Sequence, residues 1–453
     1  MPNVVLTYWK LHKVPLLITL LCLGFYYTVA YHLERSDFIK LLTLFAALFF
    51  LCYKLIQFEK WNFKFLLMVG ILFRLVFLFS IPSLSQDFLR FIWDGRLVVS
   101  GTNPFLYLPN ELLANGEIMI SQGRELIEGM GSLSAKNYSN YPPFNQAIFA
   151  LSAWLGGNSI IGPLVVMRVL ILGADVGIFY FGRRLLKAVN RSPHLIFWYF
   201  LNPLVIIELS GNVHFEGVML FFFIWALYLL VDKKWIPAAI LMALSISIKL
   251  IPLMFLPVFF KYLGIKKGIL FNTLVMVILA ITILPWYSPE FIDHYSTTLK
   301  LWFSNFEFNA GIYNLVKQLG LQFDAKPWEL IKIYGKITPV LIIGLVLVLT
   351  FLRKNQNFGT LLNTMLIILT AYYFLSATVH PWYLIFLVVM GLYADYRYPL
   401  VWSAVVVLSY SAYANPEFSE NKWLLAIEYF TVFGFMTYEF FKLRGYKSLI
   451  PKK

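Results

Sequence analysis

The sequence predicts an all-α polytopic membrane bundle of about 12–14 transmembrane helices. Three observations carry that reading. Hydrophobic residues make up 60% of the 453 residues and charged residues 13%, against roughly 45–50% and about 25% in a soluble globular chain. Apolar runs near the ~20 residues that a bilayer requires recur along the whole chain. Lysine and arginine gather in alternate gaps between those runs, the asymmetry that marks cytoplasmic turns. The same composition excludes a disordered or disulfide-stapled chain. The net charge of +14 is accounted for by basic cytoplasmic turns, with no nucleic-acid partner expected.

In order, the spans are 14–31, 39–57, 64–81, 162–182, 194–210, 215–231, 235–249, 267–285, 337–352, 360–376, 398–414 and 422–441. Shorter runs at 250–262 and 381–394 are bounded by Pro252 and by His380-Pro381. The first run follows Lys10 and Lys13 but lacks an A-x-A cleavage site, so it reads as an uncleaved anchor. With the N-terminus inside, alternation puts Lys54, Lys60 and Lys64, then Arg183, Arg184, Lys187 and Arg191, then Lys233 and Lys234 on the cytoplasmic side. Lys261, Lys266, Lys267, Arg353, Lys354 and the basic tail Lys442 to Lys453 follow. This holds only if 143–156 does not cross, so that stretch is expected to be a juxtamembrane or re-entrant helix. Two long loops, 82–161 and 286–336, then lie outside. They hold nearly half of the 23 acidic residues, among them Asp87, Asp94, Glu117, Glu125, Glu290 and Glu307. Cys22 and Cys52 sit in apolar runs without metal-ligand spacing, and no disulfide is expected. Asp175 falls inside a span and needs a partner, for which Arg168 is expected.

The most informative stretch runs from Ser85 to Arg96 and on through Gly101-Thr102-Asn103-Pro104-Phe105. Ser85 reads as a helix N-cap, which puts Asp87 in the first turn, where the helix dipole favours a carboxylate. Asp87, Arg90 and Asp94 are spaced i, i+3, i+7 and share a face. Gly95 and the Gly101–Pro104 run are expected to break the helix. Two readings are open here. One is a polar face that holds a substrate at the lipid boundary, flanked by Phe88, Phe91 and Trp93. The other is a salt-bridged interfacial helix.

The pattern D-x-x-R-x-x-W-D-G-x(5)-G-x-N-P-[FY], followed by Tyr141-Pro142-Pro143, resembles the GT-C superfamily of polytopic glycosyltransferases. It looks closest to the bacterial mannosyltransferase-like branch that uses polyprenyl-phosphate sugars. Gly211-Asn212-Val213-His214-Phe215-Glu216, Lys249-Leu250-Ile251-Pro252, Phe308-Asn309-Ala310-Gly311-Ile312-Tyr313 and His380-Pro381-Trp382-Tyr383 follow in the order of that branch. The resemblance runs from about residue 64 to 395 and implies a membrane bundle with juxtamembrane helices in its first external loop. It implies inverting transfer of a sugar, by family weight mannose, from a lipid phosphate to an acceptor hydroxyl. The acceptor would be a glycan, a glycolipid or a lipid alcohol. The enzyme would sit in a bacterial inner membrane with its site facing the periplasm or exterior. The family's loop aspartate maps onto Asp87, with Asp94 the second choice. Family members with a close D-x-D pair differ from this chain, whose acids are seven apart. No metal or other cofactor is therefore expected to be required.

An acceptor hydroxyl needs a base, and Asp87 is the candidate. The leaving lipid phosphate needs cations or hydrogen-bond donors. Lys249 is the first candidate, as a ligand or as a lysine snorkelling to the interface. Arg90 either grips phosphate or pairs with the two aspartates, and His380 either donates to phosphate or is structural. Contacts to sugar or acceptor are expected from Trp93, Asn103, Tyr141, His214, Glu216, Asn309, Tyr313, Trp382 and Tyr383. The rival class is a transporter or flippase of lipid-linked saccharides. It is disfavoured because polar residues gather in the loops and no repeated halves are visible.

Overall fold

In the computed structural model residues 4–115 and 119–448 are described; Glu117, Lys452 and Lys453 of the sequence reading lie outside them. The chain opens with a hairpin, α1 (Val4–His32) and α2 (Phe38–Phe58), followed by the short α3 (Phe63–Leu75). Next come α4 (Asp87–Val99), α5 (Pro109–Asn115), α6 (Gly123–Ala135) and α7 (Pro143–Gly156). Helix α8 (Ile161–Ala188) precedes a pair, α9 (Pro193–Phe200) and α10 (Pro203–Gly211), bent by 52° at the break. Then follow α11 (Glu216–Val231), α12 (Trp235–Ile248), α13 (Ile251–Leu263), α14 (Ile265–Ile283), α15 (Pro289–Ser304) and α16 (Ile312–Gln322). The chain closes with α17 (Pro327–Leu352), α18 (Phe358–Leu375), α19 (Pro381–Leu392), α20 (Tyr398–Ala414) and α21 (Lys422–Ser448).

Seven described helices (α1, α2, α8, α14, α17, α18 and α21) are long and apolar enough to cross a membrane, or eight if α9 and α10 form one broken span. Five more expected spans, α11, α12, α13, α19 and α20, are shorter apolar helices. Winding explains part of the shortfall. Proline at positions 252 and 257 tightens most of α13 into a 3₁₀ helix, and α20 runs eight α-helical residues into nine 3₁₀ residues. A 3₁₀ turn rises ~2.0 Å per residue against 1.5 Å in an α-helix. By that measure α20 reaches roughly 30 Å, a hydrocarbon core's thickness. The run expected at 64–81 is helical only over α3, and tight turns carry the chain from Val76 to Ser80.

The basic turns meet at one end of the bundle. Arg183 stacks on Phe63, Arg191 pairs with Asp395, and Lys261 donates to the Phe351 carbonyl. At the other end, residues 82–161 and 286–336 pack together. Asn103 Nδ2 donates to the Trp286 carbonyl at 3.0 Å, and the Tyr138 and His294 rings stack at 3.7 Å, 5° from parallel. Helix α7, the stretch read as non-crossing, packs on α4, α8 and α12. Pro142 and Pro143 set its start, with Pro142 extended and Pro143 in the first turn.

Two expectations are corrected here. Asp175 is fully buried but pairs with Arg74, at 2.6 Å, not with Arg168. Tyr199 also donates to it, at 2.5 Å, while Arg168 donates to the carbonyls of Leu78, Ser80, Ser210 and Gly211. A guanidinium so placed stays charged in apolar surroundings by satisfying loose ends of the helix breaks around it. Gly95 does not break α4, which continues to Val99. It is glycine because a Cβ there would run into the Phe149 carbonyl of α7.

Candidate functional site

The first wall of the site is α4. Asp87 is its first residue and its amide donates to Ser85 Oγ at 3.3 Å, so the cap position is Gln86 rather than Ser85. The three polar residues expected on one face have different fates. Arg90 Nε pairs with Asp94 at 2.7 Å, and its Nη1 donates to the carbonyls of Ser134 and Asn137 at 2.7 and 3.0 Å. Asp94 is 0% exposed and also accepts from Ser139 Oγ at 2.6 Å and Gln146 Nε2 at 2.9 Å. A carboxylate enclosed by three donors has no room for a sugar hydroxyl. Arg90 and Asp94 therefore fasten α4 to the turn after α6 and to α7. Asp87 alone keeps an open carboxylate, its side chain 40% exposed. Trp93 is 1% exposed against α6 and offers no face to a sugar.

The second wall comes from the end of α10 and the turn to α11. The last turns of α10, residues 206–211, are wound as a π-helix, a form that marks functional sites more often than ordinary helix. It aims the buried Glu208 at three donors: Tyr410 of α20, Asn212 Nδ2 at 3.1 Å and His214 Nδ1 at 3.1 Å. Asn212 Oδ1 accepts from the Leu84 amide at 3.2 Å, tying this turn to the segment before α4. Val213, with φ +61°, holds a conformation that a β-branched residue seldom adopts. Such strain persists where the surroundings fix it, often at sites of function. The buried His214 Nε2 has no hydrogen-bond partner and stands 3.8 Å from the Asp87 carboxylate.

Lys249 ends α12 in an extended conformation and pairs with Glu216, in the first turn of α11. Its ammonium also lies 5.9 Å over the Tyr383 ring. A ladder of rings closes the space. His214 stacks on Trp382 at 3.9 Å and His380 on the same tryptophan at 4.3 Å. Phe308 follows at 4.9 Å and Tyr413 at 5.7 Å, and the Arg35 guanidinium lies 3.6 Å over Tyr413. Trp382, covered by histidines and 7% exposed, is a spacer between them, not a sugar platform. Burial first, then the neighbouring His214, Lys249 and Arg35, pushes the His380 imidazole down to about 3. His380 is thus neutral at ordinary pH and meets an anion only as a hydrogen-bond donor.

Tyr141 sits edge-on to Phe91 at 4.9 Å. Burial first, then the Asp87 charge, raises its phenol well above the usual value, so it stays a protonated donor near Asp87. The remaining candidates lie elsewhere. Asn103 joins the two loop regions, accepting from the Phe105 amide and donating to Trp286. Asn309 donates its amide to Glu420 and its side chain to Glu428. Tyr313 packs on Tyr334 in a separate small cluster. Sequence reasoning missed Glu208, Tyr410 and Arg35. A carboxylate inside an apolar run was the available signal for Glu208; nothing local distinguishes Arg35 or Tyr410. Among the described residues no three His, Cys, Asp or Glu side chains converge as metal ligands.

Residues 15–263, more than half of the chain, match a protein-family model described as alpha-(1->6)-mannopyranosyltransferase, N-terminal domain. Over 173 residues the chain is 22% identical to alpha-(1->6)-mannopyranosyltransferase A of Mycobacterium tuberculosis. That stretch is 38% of this chain and 32% of the relative, so the match spans about a third of the relative's length.

Proposed function

The chain belongs to the alpha-(1->6)-mannopyranosyltransferase family, and on that premise we propose that it moves a mannosyl residue from a polyprenyl-phosphate donor to an acceptor hydroxyl, with Asp87 as general base. The transfer takes place on the extracytoplasmic side and inverts the anomeric carbon. The observation that carries this reading is the open Asp87 carboxylate at the mouth of an otherwise interlocked polar site, beside the unpartnered His214 Nε2. The bond from the sugar's C1 to the lipid-phosphate oxygen breaks, and a bond from C1 to the acceptor oxygen forms. The acceptor's proton passes to Asp87, and the lipid phosphate leaves with the electron pair. Tyr141, Lys249, Glu216 and Tyr383 border the space where the sugar would lie. The acceptor is a glycan, a glycolipid or a lipid alcohol, and no metal enters the step.

The test is to mix purified protein with membrane lipid extract and mannose-labelled polyprenyl phosphate, in EDTA. Label should leave the donor and appear in an alpha-linked product. Labelling from a sugar nucleotide instead would overturn the donor assignment. Movement of intact labelled lipid between leaflets, with no new bond, would favour the flippase.

A further inference from the structure

The cations around the site are not equivalent. Lys249 is already paired with Glu216, and Arg90 with Asp94. A phosphate reaching either would compete with a carboxylate in place. Arg35 differs. It lies on the short turn between α1 and α2 and, unlike Arg90, no carboxylate among the described residues pairs with it; its buried Nε, like Arg90 Nη2, has no hydrogen-bond partner. The Tyr413 ring supports the guanidinium from one side, at 3.6 Å, in a cation–π contact. Ring contacts lead from Tyr413 through Phe308 to His380, which shares Trp382 with His214, so Arg35 stands at one end of the ladder that reaches the site. A buried, unpaired guanidinium N–H is costly to leave unmet. A guanidinium's planar fork fits two oxygens of one phosphate.

We propose that Arg35 is the ligand of the donor's phosphate group, supplied to the site by the first helical hairpin. This rests on the polyprenyl-phosphate reading above. An open groove of about 870 Å³ begins at the same turn, where Ser36, Asp37 and Lys40 line it, and continues along the apolar Phe38, Ile39 and Leu44 of α2. An isoprenoid chain lies there with its phosphate at Arg35. Once the glycosidic bond breaks, the same guanidinium faces the extra negative charge on the departing phosphate.

The experiment measures binding of polyprenyl monophosphate, and of the uncharged polyprenol, to the full chain in nanodiscs. Wild type should prefer the phosphate. Arg35→Gln should weaken phosphate binding about tenfold or more, the range for losing a charged hydrogen bond, and leave polyprenol binding unchanged. Arg35→Lys should restore part of the loss, because a point charge replaces the fork. Equal phosphate affinity in wild type and Arg35→Gln overturns the assignment while leaving the donor reading intact. If Arg35→Gln fails to fold, phosphate affinity of Arg35→Lys equal to wild type overturns it in the same way. Wild type that does not prefer phosphate to alcohol overturns the donor reading, and the role of Arg35 with it.

Discussion

His214 presents its two ring nitrogens to two carboxylates: Nδ1 bonds Glu208 at 3.1 Å, and Nε2 stands 3.8 Å from Asp87. A neutral imidazole that donates from Nδ1 to Glu208 turns its Nε2 lone pair toward Asp87. On the proposed mechanism, a proton taken by Asp87 would have a second base beside it.

Asp87→Asn should lower transfer by about 10²- to 10⁴-fold, the usual contribution of a general base, at unchanged thermal stability. Asp94→Asn should act mainly on stability, because removing one partner of a buried ion pair costs about 3–5 kcal/mol. Turnover and melting temperature of both variants separate the roles. Near-normal turnover in folded Asp87→Asn would leave the mechanism without its base.

Glu208→Gln and His214→Gln should each slow transfer less than Asp87→Asn, and the double variant should be little worse than either. Residues acting through one hydrogen bond couple in a double-mutant cycle. Fully additive losses would mean that the two act independently.

Lys249→Ala strands the Glu216 carboxylate, 4% exposed, without its cation. The melting temperature should fall, and Lys249→Ala/Glu216→Gln should recover part of that fall, since a neutral amide is cheaper to bury. A single variant as stable as wild type would show that the pair contributes nothing to the fold.

His380 gives the folded protein an acid sensitivity. Its imidazole is held down from 6.5 to about 3, so the unfolded chain binds a proton more readily than the native one. Stability from this group is complete above about pH 6.5 and drains away as pH falls toward 3. Thermal melts from pH 7 to pH 4 should show a shallower decline for His380→Phe than for wild type. Parallel curves would contradict the burial of a neutral imidazole.

Cysteines introduced at Met119, 98% exposed, and at the exposed Gln356 should react oppositely with an impermeant thiol reagent in intact cells. Cys22 and Cys52 are buried and add little background. Met119→Cys should label and Gln356→Cys should not. The reverse result would put the site on the cytoplasmic side.

The sequence reading was strongest where the information is local. Apolar runs, the start of α4 to within one residue and the proline-set start of α7 follow from composition, spacing and proline. It was weakest where partners are distant. Whether Asp87 or Asp94 is open depends on Ser139 and Gln146, 45 and 52 residues beyond Asp94. Arg74 meets Asp175 across 101 residues, and no helical period encodes that pairing. Glu208 was visible as a charge in an apolar run, but the π-helix that aims it breaks the 3.6-residue period on which a helical face is read.

The ring ladder is assembled from the middle of the chain and its last third. His214 belongs to the stretch that matches the family model, whereas Phe308, His380, Trp382 and Tyr413 come after it. Glu208 is likewise completed by Tyr410. The matched stretch therefore does not hold the whole candidate site. Cut off after residue 263, it would keep Asp87, His214 and Lys249 but lose the surface that holds the imidazole flat and the phenol that caps its orienting carboxylate. Two co-expressed fragments that reassociate should regain the transfer that neither shows alone, the outcome expected if closing the chain is what completes the site.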